Sequence, residues 1–128
     1  MDLYSYKFDL IRVIDGDSLE VSIDLGFYIT KKTTIRIANI DAPETRTLDL
    51  NEKSYGLRAK RVVEEWFTSR RDKELIIKTK LIDKYGRYLG LIYCEDECLN
   101  DYLLDENFVW SYDGGKKIKD FDELIPPV

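Results

Sequence analysis

The sequence predicts a mainly β chain with added helix (α+β), folded as a five-stranded barrel with a helix between strands three and four and a short C-terminal helix. Three observations carry this. Apolar and polar residues alternate through the first forty positions. The period lengthens to three-four over 59–67, the signature of an amphipathic helix. Alternation then returns between 75 and 93.

The elements follow in order. Tyr4, Tyr6, Phe8 and Leu10 alternate with Ser5, Lys7 and Asp9 to give the first strand; Leu19, Val21, Ile23 and Leu25 alternate with Ser18, Glu20, Ser22 and Asp24 to give the second. Asp15-Gly16-Asp17 between them is a tight turn, so the two pair as a hairpin. A third strand runs from about Thr33 to Ile40 and stops before Pro43. Ala59, Val62, Val63, Trp66 and Phe67 form the apolar stripe of a helix, with Arg58, Lys60, Arg61, Glu64 and Glu65 on its other faces. Ser54 is the expected N-cap, and Thr68-Ser69-Arg70-Arg71-Asp72 ends the helix. Leu75, Ile77, Thr79 and Leu81 give a fourth strand, Tyr88 to Tyr93 a fifth, and Leu99 to Asp105 the short helix. Residues 113–128, with two glycines, a lysine cluster and Pro126-Pro127, are expected as a loosely packed tail on a domain of residues 1–112. Three strands, a helix and two strands is the order of an OB-fold.

Composition narrows the chemistry. At 128 residues the chain is sized for one domain, which buries roughly two-thirds of its unfolded surface. The longest apolar runs are far short of a bilayer span, so no membrane association is expected. Met1-Asp2-Leu3-Tyr4-Ser5-Tyr6-Lys7 does not read as a secretory signal. A cytoplasmic location follows unless a leader precedes this sequence. With no histidine, Cys94 and Cys98 cannot complete a zinc site; a disulfide across the Glu95-Asp96-Glu97 turn is open to them, and free thiols are the preferred expectation. The net charge of −5 hides a pattern: eleven Lys and Arg stand against five acids from Lys53 to Gly90, and ten acids against three lysines from Glu95 onward. The central segment suits a polyanion.

Acid and arginine gather in Val13-Ile14-Asp15-Gly16-Asp17-Ser18, in Ile35-Arg36 through Asp41-Ala42-Pro43-Glu44, and in Asp83-Lys84-Tyr85-Gly86-Arg87. If the barrel brings Asp17 and Asp41 together, their carboxylates select a hard cation such as calcium or magnesium. Asp15 reads as turn chemistry instead. Arg36 sits where the strand asks for an apolar or small residue, so it either pairs with an acid or awaits an anionic ligand. Arg87 is a second guanidinium fork, and two forks facing one metal suit a pentacoordinate phosphorus. Glu44, held behind Pro43, is placed to orient or deprotonate water. Tyr85, Trp110 and Tyr112 offer ring faces for stacking, though packing suits Trp110 best.

These motifs, with Tyr55-Gly56 opening the helix, make the chain resemble the staphylococcal-nuclease-like family, or thermonucleases, from about Phe8 to Tyr112. The resemblance implies an OB-fold nuclease that uses calcium to cleave DNA and RNA, leaving 3′-phosphate and 5′-hydroxyl ends. It implies Asp17 and Asp41 as metal carboxylates and Ala42 as the donor of a backbone carbonyl. Arg36 and Arg87 become the phosphate and transition-state clamps, and Glu44 the general base. Lys84, Tyr85 and, allowing a one-residue gap, Tyr112 become the groups around the bound nucleotide. Secreted members are basic, whereas this chain is acidic, and Asp113-Gly114-Gly115-Lys116-Lys117 looks more like shorter bacterial and phage relatives. The expected protein is thus a monomeric, calcium-dependent endonuclease acting on nucleic acid. The alternatives are an OB-fold module that binds nucleic acid without cutting it, or one that binds protein.

Overall fold

The computed structural model describes residues 3–82, 86–115 and 117–127. Five long strands enclose the core: β1 (Ser5–Asp15), β2 (Ser18–Asp24), β3 (Thr30–Ile37), β5 (Leu75–Ile82) and β6 (Tyr88–Cys94). They pair in the order β3-β2-β1-β5-β6, and β3 then meets β6 to close the barrel. That closing pair is parallel, with Ile35 beside Tyr88, Arg36 beside Leu89 and Ile37 beside Gly90. The other pairings are antiparallel, and the β1–β2 hairpin turns where the sequence places its Asp-Gly-Asp. Period-two patterning is obeyed on β2, where Leu19, Val21 and Ile23 point inward to meet Ile35, Ile37, Ile77 and Ile92.

The third strand departs from expectation. It runs Thr30–Ile37, and the chain then turns through Asn39, which takes a left-handed φ of 68°. Ile40–Asp41 is a separate short strand, β4, paired with β8 (Trp110–Ser111). Asparagine tolerates that turn because its short polar side chain can hydrogen-bond locally with the backbone. The result lifts Asp41 out of the barrel ladder and hands it to a strand from the C-terminal region.

Helix α1 spans Leu50–Thr68, one turn earlier than a Ser54 cap would allow. Asp49 is the N-cap: its carboxylate accepts from the backbone N–H of Asn51 (3.0 Å) and Glu52 (3.3 Å). Ser54 instead donates its hydroxyl to the Asn51 carbonyl. Ala59, Val63, Trp66 and Phe67 are buried as the stripe predicts. Arg58 is a correction, because it is buried rather than on a solvated face. Its ring partners are Tyr55 and Phe108, and it donates to the carbonyls of Ile125 and Pro126. Burial pulls its pKa below the ordinary arginine value.

Helix α2 (Leu99–Asp105) follows the short strand β7 (Glu97–Cys98) and seats Leu99 and Leu103 in the core. Buried Asn100 donates to the carbonyls of Ala38 (2.8 Å) and Gly90 (3.3 Å) and accepts from the N–H of Ile92 (3.0 Å), stitching the closing strands together. Cys94 and Cys98 are free thiols, as expected.

Residues 121–124 of the expected tail are anchored on the domain, while most of its other described residues are exposed. Trp110 donates its indole N–H to the Asp120 carbonyl (2.8 Å), and Phe121 lies between the rings of Trp110 and Tyr55. Leu124 is only 5% exposed. These contacts join residues far apart in sequence, so no local pattern announces them.

The β2–β3 hairpin ends in Leu25-Gly26-Phe27-Tyr28-Ile29. Phe27 and Tyr28 both hold left-handed backbone (φ 55° and 60°) while almost fully exposed. Such a conformation costs a non-glycine residue roughly 1–3 kcal/mol.

Candidate active site

The first motif places Asp17 by a close fit. A Cβ on Gly16 would lie 2.8 Å from that of Ala59 and 3.0 Å from that of Ala42, so the turn beds against α1 only because residue 16 lacks one. Asp17 leaves this turn buried, 8% exposed. Its Oδ2 accepts from the Ala42 N–H (3.0 Å) and its Oδ1 from the Ser18 hydroxyl (3.1 Å). Asp15, two residues earlier at the end of β1, accepts from the Thr45 hydroxyl.

Arg36 joins the motifs. Its Nη1 stands 3.5 Å from Asp17 Oδ2 and its Nη2 3.5 Å from Asp41 Oδ1, with all three side chains nearly closed to solvent. Nη2 also donates to the Ile40 carbonyl (3.1 Å). The Tyr112 ring lies over the guanidinium at 5.4 Å from its centroid, and the Tyr112 N–H donates to the Asn39 carbonyl (2.9 Å). Thus Asp17, Arg36, Asp41, Ala42 and Tyr112 come together, drawn from the β1–β2 turn, β3, β4, the residue after β4 and the residue after β8. The two readings of Arg36 converge: its acid partners are the candidate metal carboxylates.

Glu44 lies at the rim, its side chain 57% exposed. Its backbone is held from two sides. A Cβ on Gly56 would sit 2.4 Å from the Glu44 carbonyl oxygen and 2.7 Å from that of Pro43, so α1 presses directly on this segment. The Glu44 N–H donates to Glu52 Oε2 (3.1 Å). Arg87 is half-buried immediately before β6, whose first residue, Tyr88, pairs with Ile35, the neighbour of Arg36 on β3. Lys84 and Tyr85 lie outside the described residues.

Three residues of this region escape sequence reasoning. Lys117 Nζ is 3.2 Å from Asp41 Oδ1 and 5.7 Å from the Tyr112 ring centroid. Lys119 Nζ is 2.8 Å from Glu52 Oε2 and 3.8 Å from Glu44 Oε1. Its bond to Glu52, above all, raises the Lys119 pKa. Glu52 itself is 7% exposed, a buried acid serving both the Glu44 amide and Lys119. One sign was available: Glu52 falls in the first turn of the helix, where sequence offers it only a role toward the helix dipole.

No set of three or more Cys, His, Asp or Glu side chains gathers to hold a metal among the described residues. Asp17 and Asp41 nevertheless share Arg36 between them, and their donors are oxygen alone. That donor type suits a hard cation that keeps several waters, with carbonyl or phosphate oxygens filling the remaining positions. No helix among the described residues is long and apolar enough to cross a membrane.

Comparison with known proteins adds an independent line. Micrococcal nuclease of Shigella flexneri is 26% identical over 116 residues, covering 84% of this chain and 59% of that protein. Endonuclease YncB of Bacillus subtilis (strain 168) is 34% identical over 106 residues, 76% of this chain and 44% of that protein. An uncharacterized endonuclease of Escherichia coli is 30% identical over 110 residues, 81% of this chain and 60% of that protein. The chain therefore spans about half the length of the curated relatives it matches. The family model described as staphylococcal nuclease homologue matches residues 34–124, more than half of the chain and a span holding Arg36, Asp41, Glu44 and Arg87. With that match and a closed five-stranded barrel that buries Asp17 and Asp41 around Arg36, this chain belongs to the staphylococcal nuclease family.

Proposed function

We propose that this chain is a calcium-dependent nuclease that hydrolyses phosphodiester bonds of DNA or RNA to 3′-phosphate and 5′-hydroxyl ends. The observation carrying the reading is the buried Asp17–Arg36–Asp41 constellation, two carboxylates sharing one guanidinium. A scaffold has little need of it, since an apolar trio of similar volume would serve stability as well.

Asp17, Asp41 and the Ala42 carbonyl would hold the cation, which supplies positive charge beside the phosphate oxygens. The chain's own residues do the rest. Arg36 and Arg87 donate to the non-bridging oxygens, where charge grows as phosphorus becomes pentacoordinate. Glu44, exposed at the rim with its backbone fixed, takes a proton from the attacking water. The new bond joins water oxygen to phosphorus, the bond to the 5′ oxygen breaks, and that oxygen takes a proton from solvent to leave as a hydroxyl while Glu44 returns its proton to solvent. Tyr112 supports Arg36 from one side and offers a ring to the nucleotide.

The test is a gel assay on single-stranded DNA and RNA with calcium, with and without chelator. Cleavage that stops on chelation while circular dichroism stays constant is the expected result. Retardation without cleavage would assign a binding module, and full activity without divalent metal would remove the carboxylate assignments.

A further inference from the structure

The tip of the β2–β3 hairpin combines three features that packing does not explain. Phe27 is 93% exposed and Tyr28 fully so, which wastes two aromatic side chains on solvent. Both also hold left-handed backbone, in a turn closed by bonds from Leu25 N–H to the Ile29 carbonyl and from Ile29 N–H to the Gly26 carbonyl. Turns of this kind favour Asn-Gly or Asp-Gly, so the rings are kept against local preference. Cations follow at once: Lys31 and Lys32 are exposed at the start of β3.

The tip is continuous with the candidate site. In the β2–β3 register Thr30, Lys32, Thr34 and Arg36 stand opposite Asp24, Ser22, Glu20 and Ser18, on the face away from buried Val21 and Ile23. This row leads from the hairpin to the Asp17–Asp41 pair over about 20 Å, at roughly 3.3 Å per residue. Lys31 lies 5.6 Å over the Tyr88 ring, beside Arg87 in sequence. The acids bordering the row are engaged elsewhere: Asp24 accepts from the Gly26 N–H (2.8 Å), and Glu20 pairs with Arg12 (3.6 Å).

We propose that this hairpin is a second contact for single-stranded nucleic acid. Phe27 and Tyr28 stack on bases while Lys32 and the threonines of β3 follow the backbone toward Arg36. The proposal rests on the nuclease reading and adds to it a site remote from the scissile bond. Two exposed rings beside the exposed cations Lys31 and Lys32, on a strand that runs on to Arg36, favour a nucleic-acid strand over a lipid surface or a second copy of the chain.

The experiment uses the full chain and a variant, Phe27→Asn/Tyr28→Gly, which installs the pair this turn prefers and so protects the fold. With metal chelated, fluorescence anisotropy of a labelled single-stranded oligonucleotide should show affinity reduced about tenfold or more in the variant, as expected for losing two stacked rings. Lys32→Ala should flatten the dependence of log affinity on log salt by about 0.7. Hydrolysis of a thymidine p-nitrophenyl phosphodiester, too short to reach the tip, should be equal in both proteins. Unchanged oligonucleotide affinity in the variant, or no binding by the parent chain, overturns the proposal. So does an unchanged affinity accompanied by lost binding to phosphatidylserine vesicles or lost dimer in sedimentation. If the parent cleaves nothing but the variant still loses oligonucleotide affinity, the nuclease reading fails and the hairpin site stands.

Discussion

Replacing Arg36 by leucine should cost stability as well as activity, and the structure sets the size. The substitution leaves Asp17 and Asp41 buried, facing a side chain that cannot answer their charge. Breaking a buried pair by removing one partner typically costs about 3–5 kcal/mol. The Ile40 carbonyl also loses its donor, worth roughly 1 kcal/mol. Two terms offset this. Lys117 still stands 3.2 Å from Asp41, and the new leucine buries apolar surface worth about 1–2 kcal/mol. A net loss of about 3 kcal/mol is expected, read by urea unfolding as a lower midpoint at constant slope. Arg36→Lys keeps the charge but not the fork, so it should lose less stability. It should still add about 2–4 kcal/mol to the barrier for cleavage, because one ammonium cannot span both phosphate oxygens. A stability loss below about 1 kcal/mol in the leucine variant would refute the buried triad. Near-normal turnover in the lysine variant would refute the clamp.

Arg87→Ala, at a half-buried position, should raise the barrier by about 2–4 kcal/mol, checked by single-turnover cleavage on protein shown folded by circular dichroism. Gly56→Ala drives a methyl into the Pro43 and Glu44 carbonyls; it should destabilise by about 1–3 kcal/mol and lower kcat more than it raises KM, because the Glu44 backbone must move. The Lys119 pKa is raised by Glu52, so the stability it contributes is full below the ordinary lysine pKa and fades as pH climbs through its raised value. Urea midpoints measured through the alkaline range should therefore fall less steeply in Lys119→Met than in the parent. A parallel fall would remove the Glu52 contact from the account.

The elements legible in the sequence are those whose pattern is local. Alternation in Leu19–Val21–Ile23 and the stripe Ala59–Val63–Trp66 locate β2 and α1 because each residue's environment repeats with the backbone period. Asp17, Arg36 and Asp41 are visible as charges in apolar company, and the barrel does bring them together. What stayed hidden is long-range. The break at Asn39 depends on β8, some seventy residues later, and the Asp49 cap competes with a plausible Ser54 nearby. Arg58 looks solvated until the tail carbonyls of Ile125 and Pro126 arrive, and Glu52 and Lys119 acquire meaning only through each other.

The parallel seam between β3 and β6 joins Arg36 to Leu89 across a wide loop of chain, the kind of contact that forms late because its ends must first be gathered. The Asp17–Arg36–Asp41 centre lies along that seam. The setting of that centre therefore depends on the same closure: a nascent chain whose second half has yet to emerge carries Asp17, Arg36 and Asp41 but lacks the strand that closes the barrel beside Arg36.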